Sequence, residues 1–171
     1  MLIRFYSIFL FFSLLLSYKA SGQEAQPVTY PRLAGFAGLA HPVITFSKEG
    51  TSVNFKDFYT VAIPSGIHIW KSPKIGFSLE VTPMIRVENN ISKMNNVMIH
   101  PGVLVALGNG FNFAGRVAFE TSGRYGVTPI LSKVLIRNKG SNFYGALPLA
   151  LRFGNDQPSS LTLAVMFGVA F

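Results

Sequence analysis

From residue 38 onward, large apolar residues recur at every second position through most of the chain. The last twelve residues, SLTLAVMFGVAF, show the pattern most plainly. Leu161, Leu163, Val165, Phe167, Val169 and Phe171 alternate with Ser160, Thr162, Ala164, Met166, Gly168 and Ala170. Successive side chains of an extended strand point to opposite faces, so this segment is a ribbon with one oily face and one narrow face. Comparable runs separated by turn-rich breaks predict eight strands, over 38–47, 54–70, 75–87, 97–107, 111–119, 126–136, 143–153 and 160–171. In the third, Ile75, Phe77, Leu79, Val81, Ile85 and Val87 share a face; in the fifth, Phe111, Phe113, Val117 and Phe119; in the seventh, Phe143, Leu147, Leu149, Leu151 and Phe153.

The opposite face of these strands carries Ser78, Glu80, Thr82, Arg86, Asn112, Arg116, Glu120, Tyr144 and Arg152. Alternation assigns faces without naming the solvent that each face meets. A soluble barrel of lipocalin type would line a ligand cavity with Phe77, Phe113, Leu163 and Phe167 and put Glu80 and Arg116 in water. A membrane barrel exchanges the two faces. Segment length and number favour the membrane form. A spanning strand needs about 9–11 residues, and an even strand count closes the sheet without an edge. KSPK (71–74), GNG (108–110) and RNKGSN (137–142) then serve as turns at one end. KEGTSV (48–53), ENNISKMNN (88–96), TSGRY (121–125) and NDQPSS (155–160) form the loops at the other. Pro64, Pro83, Pro101, Pro129 and Pro148 all fall inside expected strands, where each removes a ladder donor; Pro64-Ser65-Gly66 reads as a bulge.

The composition supports export. The chain is 49% apolar and only 13% charged, yet after residue 20 no stretch approaches the roughly 18–20 apolar residues of a membrane helix. Arg4, an apolar run over 5–17 and the small residues Ala20 and Gly22 have the form of a secretory signal peptide cleaved before Gln23. This divides the chain into a signal peptide (1–22), a lead-in (23–37) and a β-barrel domain (38–171). The mature chain keeps 13 Lys and Arg against 7 Asp and Glu, a net charge of +6. For an exported basic protein, anionic lipid headgroups are the natural partners and nucleic acid is not. There is no cysteine, which excludes disulfides, Cys-ligated metal and thiol catalysis.

An amphipathic last strand ending on phenylalanine resembles the pattern by which Gram-negative outer-membrane barrel proteins are recognised for insertion. Here it falls on Leu161, Leu163, Val165, Phe167, Val169 and Phe171. In size and strand count the mature chain is similar to the small eight-stranded barrels, such as the transmembrane domain of OmpA and OmpX. The resemblance implies an all-β, antiparallel, up-and-down transmembrane barrel in the outer membrane. It also implies outer-membrane lipids, lipopolysaccharide and the barrel-assembly machinery as partners, and an ion-pair network in the lumen.

Candidate chemistry is confined to that lumen. Glu80 and Arg116 are expected at similar depth, with Arg86, Glu120 and Arg152 together higher up. Such charges form either a plug or gate, or pairs that fill a lumen about wide enough for side chains alone; the second reading is preferred. His41, His68 and His100 are the only histidines. His68 and His100 are expected inside at different heights, so no metal site is expected, and nothing calls for a cofactor. An enzyme modifying envelope lipid would need Ser, His and an acid together. No histidine follows residue 100, Ser122 and Ser132 have no evident base, and no Gly-x-Ser-x-Gly elbow occurs, so no catalytic residue is expected. Trp70, Phe143 and Phe171 are expected in an interfacial girdle, and Lys48, Lys93 and Arg124 at the outer mouth. The function expected is structural, in the envelope, or a restricted permeation path, with docking of an envelope partner on the loops as a further role.

Overall fold

The computed structural model describes residues 29–171, so the expected signal peptide lies outside the described residues. The described residues form ten strand segments in one antiparallel sheet: β1 (Arg32–Ser47), β2 (Gly50–Val53), β3 (Tyr59–Ala62), β4 (Ser65–Trp70), β5 (Ile75–Glu88), β6 (Ile91–Gly108), β7 (Phe111–Glu120), β8 (Tyr125–Arg137), β9 (Asn142–Phe153) and β10 (Ser160–Ala170). Neighbours along the chain pair in order, and β10 pairs back onto β1 from Phe36↔Ala170 to Ser47↔Ser160. Phe171 finishes the seam by exchanging two backbone hydrogen bonds with Gly35, at 2.8 and 2.9 Å. The sheet is a closed ring, and closure removes the edge that would otherwise expose unpaired backbone groups.

The ten segments amount to eight staves, because β2, β3 and β4 together fill the place between β1 and β5. The second expected strand, 54–70, is thus three pieces. Residues 54–58 leave the ladder, and Asn54 bridges the gap as a surrogate backbone: its Nδ2 donates to the Thr60 carbonyl (2.9 Å) and its Oδ1 accepts from the Thr60 amide (2.7 Å). The second break falls at Ile63-Pro64, where the Ile63 amide still donates to the Pro83 carbonyl at 2.9 Å. β1 begins at Arg32, six residues ahead of expectation, so 32–37 belong to the barrel and not to a lead-in. The expected loop 88–96 is a tight hairpin, in which only Asn89 and Asn90 turn, both at positive φ (51° and 61°). Asn tolerates this left-handed conformation better than most residues.

The remaining prolines sit where the ladder is interrupted. β6 and β7 pair at Ile99↔Phe119 and next at Gly102↔Arg116, skipping Pro101. β8 and β9 skip Pro129 between Val127↔Leu151 and Ile130↔Pro148, and β9 and β10 skip Pro148 between Leu163↔Leu149 and Met166↔Ala146. Register resumes unchanged after each of these three gaps, whereas it shifts between Pro42 and Ile44, where β1 passes from outward Leu39 to outward Phe46 and its faces reverse.

The direction of those faces is unambiguous. Along β5, Ile75, Phe77, Leu79 and Val81 point outward with 57, 43, 39 and 42% of their surface exposed, while Ser78, Glu80 and Thr82 are buried inside. Phe113, Leu163 and Phe167 are likewise on the outside. The lipocalin-type arrangement, with these four aromatic and aliphatic residues around a cavity and Glu80 and Arg116 in water, is the reverse of the fold observed.

Candidate functional site

The interior divides into two halves along the barrel axis. Toward the end where β1 begins and β10 finishes, inward positions hold Leu104, Ala114, Ile130, Ala146 and Met166, with Trp70 and Tyr144 packed against them, and Ala40, Ala62 and Met84 continue this apolar surface along β1, β3 and β5 past the level of Glu80. Above this layer the inward positions turn polar, on β5, β6, β7, β8 and β9.

Glu80 is the centre of the polar half. Its Oε1 accepts from Thr82 Oγ1 (2.8 Å) and faces His100 Nδ1 (3.0 Å), and its Oε2 receives Arg116 Nη1. Arg116 Nη2 donates to Ser78 Oγ at 2.9 Å. Arg116 crosses the lumen because Gly102 stands beside it on β6. A Cβ at 102 would lie 2.4 Å from the Gly115 carbonyl oxygen and 2.6 Å from Arg116 Cγ, so only glycine fits without displacing the β7 backbone and the arginine stem.

A second pair lies beyond His100. Arg152 Nε donates to Glu120 Oε1 at 2.6 Å, and Arg152 Nη1 donates to Thr128 Oγ1 (3.0 Å) and to the Leu151 carbonyl (2.9 Å). Arg152 Nη2 meets Met98 Sδ at 2.9 Å and His100 Nε2 at 3.2 Å. Glu120 Oε2 accepts from Asn96 Nδ2 (2.5 Å) and Ser122 Oγ (3.1 Å), and Asn96 Oδ1 accepts from Thr121 Oγ1 (2.8 Å). Glu80–Arg116 and Glu120–Arg152 are therefore joined through one imidazole into a chain running from β5 to the β7–β8 loop. Guanidinium nitrogens only donate, so His100 Nε2 is an acceptor and the proton of this neutral ring sits on Nδ1, directed at Glu80.

Two carboxylates and two guanidiniums give this network no net charge, and each charged group has several partners. This is the condition under which buried ions are tolerated. Ser78, Thr82, His100 and Thr128 are each at most 2% exposed, so the polar half is filled by side chains. The arrangement holds charges in fixed positions across the lumen.

Of the residues singled out from sequence, the structure brings together Glu80 with Arg116 and Glu120 with Arg152. Arg86 does not join them. It lies at the rim beside Thr60, hydrogen-bonded to Glu88 Oε2 (3.0 Å), with its guanidinium 3.7 Å from the centre of the Phe58 ring. Trp70 is a further correction: it points into the lumen, edge-on to His68 at 6.5 Å, and not into a girdle. Phe143 does face outward, stacked on Phe167. The histidines are dispersed, His41 on Tyr59 Oη outside the barrel, His68 stacked on Phe36, and His100 in the network. Sequence reasoning missed His100 as the link between the two ion pairs. Its parity placed it inside, but nothing in the chain indicated its height.

No family model matches the chain, and no curated protein matches it. Among solved structures, the chain is similar to one described as "De novo design of transmembrane beta-barrels". The identity is 10%, over 84% of this chain and 97% of that chain, with a TM-score of 0.43.

Proposed function

We propose that this protein is an integral barrel of a Gram-negative outer membrane, exported by the signal peptide over 1–22, with a lumen closed by its polar network. The observation that carries this reading is the direction of the faces. Leu39, Phe77, Val103, Phe119, Leu147 and Phe167 lie on different staves and all are exposed on the outer surface. Soluble monomers rarely expose contiguous apolar patches beyond a few hundred Å², whereas a lipid-facing band of this kind is what a membrane barrel requires. The buried, paired charges inside complete the inversion of the usual soluble pattern.

In this reading the barrel's role is structural, with permeation restricted by Glu80, Arg116, Glu120 and Arg152. Its partners are outer-membrane lipids, lipopolysaccharide at the rim carrying Lys48, Lys93 and Arg124, and the barrel-assembly machinery acting on the strand that ends at Phe171. No catalytic step belongs to it. Fractionation of expressing cells, followed by electrophoresis of boiled and unboiled membranes, tests the proposal. A folded, detergent-resistant barrel gives a band in the outer-membrane fraction that shifts on heating. A soluble periplasmic band without a heat shift rejects the membrane assignment.

A further inference from the structure

Charge is divided unevenly between the two ends of the barrel. The end bearing the turns 71–74, 108–110 and 138–141 carries Arg32, Lys71, Lys74, Lys133, Arg137 and Lys139, and no Asp or Glu among the described residues. The described acidic residues are elsewhere. Glu80 and Glu120 belong to the interior network, and Glu49, Asp57, Glu88 and Asp156 lie at the loop end, among Lys48, Lys56, Arg86, Lys93 and Arg124. The net positive charge of the described residues is thus concentrated at the turn end. A basic cluster beside a membrane attracts anionic lipid headgroups.

Lys133 is set apart by its place on the outward face. Leu131, Lys133 and Leu135 alternate along β8, all three exposed, and Leu135 and Ile136 lie nearer the turn. The lysine therefore stands inside the apolar belt and not beyond it. It pairs across the ladder with Phe111, and its ammonium lies 4.6 Å from the centre of that ring. It forms no ion pair with any described residue. The ring face attracts the cation but offers no acceptor oxygen to its three donors. A charge in a lipid-facing belt destabilises a barrel unless an anion meets it.

Lys133 also heads an apolar groove of about 260 Å³ on the outer face of β8, β9 and β10. Gly145 makes the groove. It pairs with Lys133 on one side and with Phe167 on the other, so the row across three strands has no side chain at its centre. Leu131, Leu135, Leu147 and Phe167 form the walls. The groove runs from Phe111, the first residue of β7, to Val165, halfway along β10. It leads from the turn end of the belt toward its middle, as an acyl chain does below its headgroup. We infer that this groove binds an anionic phospholipid of the leaflet at the turn end, with one acyl chain over Gly145 and the phosphate at Lys133. The inference rests on the membrane reading above and adds to it a headgroup class, a leaflet and a place. The basic turn end supplies the field that favours an anionic headgroup over a zwitterionic one.

The test puts a reporter in the groove wall by Phe167→Trp, which keeps an aromatic ring there. Trp70, the chain's single native tryptophan, faces the lumen and gives a constant background. The mature protein is reconstituted in phosphatidylcholine vesicles holding a minor share of brominated phosphatidylglycerol or, in parallel, of brominated phosphatidylcholine. Bromine quenches tryptophan on contact, so quenching reports which lipid occupies the groove. Phosphatidylglycerol is expected to associate about fivefold more strongly than phosphatidylcholine. Lys133→Gln keeps the groove and is expected to remove most of that preference. Gly145→Leu fills the groove, keeps every charge, and is expected to bring quenching by phosphatidylglycerol down to the phosphatidylcholine level. Both substitutions change the outer face alone. Equal quenching by the two lipids before either substitution overturns the site and leaves the membrane assignment standing. A preference that survives Lys133→Gln does the same, and assigns the basic end to a partner other than a lipid in this groove. No quenching by either lipid overturns both.

Discussion

His100 Nε2 lies 3.2 Å from Arg152 Nη2, in the interior of the ring and away from bulk water. Because the guanidinium can only donate, the imidazole must accept there and donate through Nδ1 to Glu80. One neutral side chain on β6 thus fixes the spacing of two ion pairs carried on three other strands, β5, β7 and β9. His100→Leu preserves bulk but leaves Glu80 short of a donor and Arg152 short of an acceptor. The variant is expected to lose about 1–3 kcal/mol of stability, read as a lower midpoint in urea unfolding from lipid vesicles. An unchanged midpoint would show that the two pairs are independent.

Glu80 and Arg116 form the more deeply buried pair. Arg116→Met leaves a buried carboxylate without its countercharge and is expected to cost about 3–5 kcal/mol. Adding Glu80→Gln removes the uncompensated charge and is expected to restore part of that loss. The non-additivity of the double-mutant cycle measures the coupling; simple addition of the two single effects would argue against direct pairing.

Gly102 leaves the room that Arg116 occupies. Gly102→Ala places a methyl group 2.4 Å from the Gly115 carbonyl oxygen and 2.6 Å from Arg116 Cγ, which forces β6 and β7 apart and displaces the arginine stem. The loss is expected to exceed the few tenths of a kcal/mol usual for an alanine on an exposed strand. Unfolding of this variant in the Arg116→Ala background separates the two causes: loss of Cγ should reduce the penalty, and the part that remains reports the clash with the β7 backbone.

A lumen filled by the network passes little current. Planar-bilayer recordings of the wild type are expected to show no stable conductance. Replacing Glu80, Arg116, Glu120 and Arg152 together by alanine removes both pairs without leaving a lone charge, and is expected to open a small water-filled path. Equal traces from the two proteins would place the closure elsewhere.

The ring itself was legible because period-two alternation holds through most of each strand and shifts only at local bulges such as Pro42–Ile44. Pro101, Pro129 and Pro148 interrupt pairing, but register resumes unchanged, so the faces read from Phe113 or Leu147 stay correct across the gaps. The Glu80–Arg116 pair was legible for the same reason. Arg86 was misplaced because height alone does not make a neighbour: it stands on β5 beside Thr60, whereas Glu120 and Arg152 stand on β7 and β9. Trp70 carried an unused signal, since it follows inward-facing His68 by two positions and alternation sends it inward as well. Asn89-Asn90 was likewise a turn signal inside what read as a nine-residue loop. The role of His100 and the groove over Gly145 had no sequence signature, because both depend on how staggered strands align around a closed ring.

The central claim is that the outward apolar face meets lipid. The chain has no cysteine, so single cysteines can be placed along 75–82 of the mature, reconstituted protein and spin-labelled one at a time. Collision rates with oxygen, which concentrates in lipid, and with a water-soluble nickel chelate then report the solvent at each position. Lipid contact predicts high oxygen and low nickel accessibility at 75, 77, 79 and 81, with both low at 78, 80 and 82. High nickel accessibility at 77 and 79 would put that face in water and contradict the account.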